Sequence, residues 1–155
     1  MTIKIKYDPA ADRMRLATKP EGKPLRVFWL KRNQCLALLA RLSDVAEQMG
    51  VELEAIEPLK TPPPRPRKDP VIDEAEPEIL DALRLRLQGE EAQLLMVQGR
   101  NVIGLRLKAP GIKRLHKIVA THAERAGWDP GPGVRRLKVM AMARSAMANS
   151  KAGNA

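Results

Sequence analysis

Residues 30–51 read Leu30-Lys-Arg-Asn-Gln-Cys-Leu-Ala-Leu-Leu-Ala-Arg-Leu-Ser-Asp-Val-Ala-Glu-Gln-Met-Gly-Val51. Cys35, Leu38, Leu39, Leu42, Val45, Ala46 and Met49 recur at the spacing that gathers side chains on one face of a helix. Asn33 can cap the start. Gly50 stands where a left-handed residue closes a last helical turn. The pattern predicts a helix from about Arg32 to Met49. The stretch also recurs 77 positions later: Leu30-Lys31 falls on Leu107-Lys108, Leu38 on Leu115, Ala46-Glu47 on Ala123-Glu124, and Gly50 on Gly127. That is 6 identities in 22 positions, where unrelated sequences give roughly one or two.

Three strand-like runs precede each copy. Ile3, Ile5 and Tyr7 alternate with Thr2, Lys4 and Lys6, the period of a half-buried strand. Asp8-Pro-Ala-Ala-Asp12 has turn chemistry. Met14, Leu16 and Thr18 then alternate with Arg13, Arg15 and Ala17. Pro20-Glu-Gly-Lys-Pro24 breaks that run, and Leu25 to Leu30 is apolar on both faces apart from Arg26. In the second copy the runs are Leu83–Gln88, Ala92–Val97 and Val102–Leu107, separated by Gly89-Glu90-Glu91 and Gly99-Arg100-Asn101. Pro110-Gly111 leads into the second helix, with Ile112, Leu115, Ile118, Val119, Ala123 and Ala126 as its stripe and Gly127 as its end.

The expected fold class is α+β. Tandem duplicated β-β-β-α units form an antiparallel sheet, or two small sheets, backed by two helices, with a basic C-terminal helical tail. A lone unit would bury too little surface, so the two should share a core. In topology alone this arrangement resembles the helix-backed sheets of the Whirly and transcriptional-coactivator single-stranded-DNA binders.

Four segments follow: a first unit over 1–56, a Pro-rich and acidic linker over 57–79, a second unit over 80–128, and a basic tail over 129–155. Pro62, Pro63, Pro64, Pro66 and Pro70 remove ladder donors and oppose helix, so 61–79 should be irregular and exposed. A Pro-rich ligand for a partner domain is the functional alternative for this stretch. The tail holds Arg135, Arg136 and Lys138, then Met140, Met142 and Met147.

The chain has 155 residues, 44% of them apolar, enough for a core, yet only 3% are aromatic. Its net charge of +10 favours a polyanionic partner. The surplus is concentrated in the second unit (+5) and the tail (+4). The single cysteine, Cys35, fits a reducing compartment. No apolar run approaches the ~20 residues that span a bilayer. A cytoplasmic protein with no membrane contact is expected.

Catalytic patterns are not found. No Gly-rich phosphate loop joins a strand to a helix. His116 and His122 are six apart on one helix and do not share a face as a metal pair would. Cys35 lies on a core stripe. No catalytic residue, metal site or cofactor is therefore expected, and the protein is read as not an enzyme. If the helices cover the apolar alternation, Lys4, Lys6, Arg15, Arg84 and Arg86 face outward, joined in the third strands by Trp29 and Arg106. Trp29 among cations would be a stacking platform for bases, or else would pack against a neighbour. The expected function is nucleic-acid binding, largely sequence-independent, with single strands weakly favoured over double strands. The sheet face and the tail residues Arg135, Arg136, Lys138 and Arg144 would supply the contacts. The alternative is an adaptor or assembly module that binds protein, in part through the methionines of the tail. Oligomeric state is left open.

Overall fold

A computed structural model of the chain describes residues 3–54 and 70–129. Expectations for the prolines from Pro62 to Pro66 and for the tail beyond Asp129 lie outside these residues. The elements run β1 (Ile3–Asp8), β2 (Arg13–Thr18), β3 (Arg26–Leu30), α1 (Arg32–Met49), α2 (Pro70–Asp73), β4 (Glu78–Ile79), β5 (Ala82–Gln88), β6 (Glu91–Gln98), β7 (Asn101–Leu107) and α3 (Ala109–Arg125). They form two sheets, ordered β1-β2-β3-β4 and β5-β6-β7. The class is α+β, in its two-sheet form. Each half is an antiparallel three-strand meander followed by a helix. The first sheet departs from the antiparallel expectation, because β4 joins β3 in parallel.

Alternation places one apolar row of each strand inward. Ile5 pairs with Leu16 and Leu16 with Phe28; Tyr7 pairs with Met14 and Met14 with Leu30. In the second sheet Leu85–Leu94–Leu105 and Leu83–Met96–Ile103 do the same. With the stripes of both helices these residues make one continuous core. The halves therefore share the burial that neither could supply alone. The helices pack on each other, and α1 also reaches β5 while α3 reaches β1 and β7. Each helix thus leans on the first strand of the other half. Arg41 Nε donates to the Leu85 carbonyl at 2.8 Å, and His122 has a backbone hydrogen bond with Ile5.

The helix ends show how identical residues fold alike. Gly50 and Gly127 are left-handed, at φ 67° and 73°. Val51 N–H donates to Ala46 O at 2.8 Å, and Trp128 N–H to Ala123 O at 2.9 Å. Gly50 N–H reaches Glu47 O and Gly127 N–H reaches Glu124 O. This is one C-terminal motif used twice, satisfying carbonyls that the helix leaves open. At the start of α1 the cap is Lys31 rather than Asn33. Gln34 Oε1 reaches back to the Lys31 N–H at 3.0 Å, the reciprocal half of a capping box. α3 begins at Ala109, with Pro110 in its first turn, where a missing N–H costs nothing.

The acidic end of the linker corrects the expectation that 61–79 is irregular and exposed. Residues 70–79 fold onto the first sheet as α2 and β4. Ile72 is 4% exposed and packs with Ala17 and Val27. The cause is the third strand: Val27 points away from the main core, and an apolar patch there gains by being covered.

No helix among the described residues is long and apolar enough to cross a membrane.

Candidate nucleic-acid interface

On the first sheet the outward side chains do not form an open cationic face. Lys6 pairs with Asp73 at 2.7 Å. Arg15 Nη1 donates to the carbonyls of Ile72 at 3.0 Å and Ala75 at 2.9 Å. Its Nε and Nη2 reach Asp8 Oδ2, both at 3.2 Å. The Arg15 guanidinium also lies over the Trp29 ring, 4.7 Å from its centroid. That cation–π contact occupies a ring face that stacking on a base would need. Trp29 is half-buried beside Ile79 of β4. Lys4 is exposed at the edge. Further along, Arg26 holds Glu78 through two contacts, at 3.0 and 2.9 Å. Its guanidinium holds the Glu78 carboxyl below the usual range, and Glu78 raises Arg26 in turn. The acidic run that looked like linker thus supplies counter-charges to Lys6 and Arg26.

The second sheet keeps its expected face. Arg84, Arg86 and Arg106 are all exposed. Register brings them together: Arg86 is opposite Gln93, which is opposite Arg106, while Arg84 leads through Leu95 to Gly104. Neighbouring strands sit about 4.8 Å apart, and alternate residues of one strand about 7 Å apart. The three guanidinium groups therefore start from one patch. Arg86 is steadied by Gln93 Oε1, which accepts from its Nη2 at 2.7 Å and its Nε at 3.0 Å. Gly104 makes room for this, since a Cβ there would stand 2.9 Å from Gln93 Nε2. A hollow of 410 Å³ beside the patch is lined by Gln88, Glu90, Glu91, Ala92, Gln93 and Arg106, so the cations give way to acids at that end. The other end is apolar, with Ala82, Val97 and Val102 in register and Val102 57% exposed.

Arg135, Arg136, Lys138 and Arg144 lie outside the described residues. Of the sheet residues, the fold gathers Arg84, Arg86 and Arg106 and leaves Lys6, Arg15 and Trp29 on a different sheet under α2 and β4. Reading the sequence missed Gln93 as the brace of Arg86. It also missed Asp73 and Glu78 as internal counter-charges. Their signal was present, as acids next to an Ile or a Pro that could dock, but only the fold supplies the distance.

Cys35 and His116 are both buried in the core. Cys35 is fully buried, and burial pushes its thiol up to about 12. His116 is fully buried with neither ring nitrogen hydrogen-bonded, and burial pushes it down to about 4. No group of acidic, His or Cys side chains that could hold a metal ion occurs among the described residues. Comparison with protein-family models, curated proteins and solved structures finds no match to this chain.

Proposed function

We propose that the chain is a non-enzymatic nucleic-acid-binding protein that holds phosphates with little regard to sequence. The single observation behind this reading is the cluster of Arg84, Arg86 and Arg106 on the outer face of β5–β6–β7. Three exposed guanidiniums on adjoining positions repel one another, and a polyanion relieves that repulsion. Arginine forks suit phosphate oxygens. Exposed aromatics are scarce, so base stacking contributes little and sequence preference is weak.

The test is a titration of the full chain with single- and double-stranded oligonucleotides at several salt concentrations. Arg84→Ala with Arg106→Ala should weaken binding and flatten the salt slope by about 0.7 per lost phosphate on a single strand. Lys6→Ala should change neither. Absence of binding at low salt overturns the reading.

A protein-binding adaptor is favoured by one feature, the exposed apolar end of the same face around Val102 and Val97. It requires Val102→Asp to remove a partner while oligonucleotide affinity is low in every variant.

A further inference from the structure

The two halves meet along two seams, and they are finished differently. At one seam, where β3 approaches the β6 end of the second sheet, the chain supplies its own filler. β4 lies parallel to β3, with Phe28 opposite Glu78 and Trp29 opposite Ile79. Arg26 clasps Glu78, and Gln98 of β6 donates to the Ile79 carbonyl at 3.3 Å. An acidic and apolar extended segment therefore closes that seam.

At the other seam, β7 pairs with β6 and β1 with β2, and neither has a second strand on its outer side among the described residues. A cavity of 280 Å³ separates them, lined by Ile3 and Ile5 of β1, Arg106 and Leu107 of β7, and Lys108, Gly111, Arg114, Leu115 and Ile118 at or on α3. Its floor is apolar and its rim carries three cations. The backbone there is suitably turned. Leu85 accepts from Arg41 and so directs its carbonyl away from β6. Alternation through the register Leu85–Leu94–Leu105 then turns the N–H and C=O of Gly104 and Arg106 outward from β7. Unpaired edges of this kind are templates for an added strand.

We infer that the cleft between β7 and β1 binds an extended acidic peptide from a partner protein, which adds to the edge of β7 in parallel as β4 adds to β3. The 77-residue offset superimposes Arg26–Leu30 on Ile103–Leu107, so the filled and unfilled seams flank corresponding strands. Backbone pairing gives such a peptide its affinity, and pockets for alternate side chains select it. Its apolar side chains meet Ile3, Ile5 and Ile118, and its carboxylates meet Arg106, Lys108 and Arg114. The two longer segments outside the described residues, 55–69 and 130–155, are both net basic. Charge therefore points to a partner and not to this chain's own remainder. The cleft borders the outer patch and shares Arg106 with it, while Arg84 and Arg86 are not part of its lining.

The probe is a synthetic peptide with the sequence of Glu74–Leu80, titrated against the full chain, with amide shifts followed by NMR. Shifts should concentrate on Gly104, Arg106, Ile3 and Ile5. Lys108→Glu with Arg114→Glu should weaken binding by roughly tenfold or more, and replacing the peptide's Glu residues by Gln should do the same. Arg84→Glu, on the outer face, should leave peptide affinity unchanged whether or not oligonucleotide binding is lost. Absence of binding, or shifts centred on Arg26 and Trp29, overturns the proposal. So does a result in which Lys108→Glu with Arg114→Glu abolishes oligonucleotide binding while the peptide does not bind, which would make the cleft a phosphate site.

Discussion

Trp128 Nε1–H donates to Asp12 Oδ1 at 3.0 Å, across 116 residues of chain. The same oxygen accepts from the Tyr7 hydroxyl at 2.7 Å. Tyr7 and Trp128 meet edge to face, centroids 5.8 Å apart, and Arg32 lies over the Trp128 ring at 5.2 Å. The turn between β1 and β2 is thereby fastened to the residue that ends the second half. Asp12 is the sole non-Gly residue with positive φ among those described, at 50°, which an Asp tolerates better than most residues.

Trp128 is 3% exposed, so Trp128→Ala should cost about 3–5 kcal/mol, the range for deleting a buried aromatic. Because this ring joins the halves, the variant should still unfold in one transition, at a lower midpoint. Denaturant unfolding followed by circular dichroism measures both. Two resolved transitions in the parent chain would show that the core is not shared.

Acid should destabilise the fold before its carboxylates protonate. Burial pushes the folded His116 pKa down to about 4, against the 6.5 of an unperturbed histidine. Between these values the unfolded chain binds a proton that the folded chain refuses. Stability is then full above pH 6.5 and declines as pH falls towards 4, by up to about 3 kcal/mol. His122 is also lowered, chiefly by burial, and acts in the same direction. His116→Leu places the residue found at the matching position of α1, Leu39. It should flatten the pH dependence between 6.5 and 4.5, read by urea titrations at stepped pH.

Cys35 should resist thiol reagents in the folded protein. With a pKa of about 12 and no exposure, little thiolate forms at pH 8 and no reagent reaches it. Labelling should follow global opening, accelerating in denaturant. Rapid labelling of native protein would place α1 differently.

Ile72→Ala should release α2 from the first sheet. The cost should fall near the low end of the ~2–5 kcal/mol range for Ile→Ala, because Ile72 packs in a small cluster with Ala17 and Val27 and not in the main core. Limited proteolysis should then cut more readily near Asp73. An unchanged digestion pattern would mean that the Arg15 and Lys6 contacts suffice to hold the segment.

The periodicity of Cys35–Met49 and Ile112–Ala126 determined both helices, because side chains one turn apart must share a face. Gly50 and Gly127 determined their ends, because a left-handed residue is cheapest as glycine. Two-residue alternation determined β1, β2 and β5 with their inward rows, and apolar runs between turn residues determined β3, β6 and β7. Other features were not local. Whether the strands made one sheet or two depended on how two apolar surfaces met. Lys6, Arg15, Arg84 and Arg86 look alike in the sequence, each a cation in an alternating strand. Their difference arises because Asp73 and the carbonyls of Ile72 and Ala75 arrive beside Lys6 and Arg15 from 57 to 67 residues away. No described segment does so at Arg84. The charge of a side chain is set by its own chemistry, but its counter-charge is set by distance, and distance between remote residues exists only once the chain has folded.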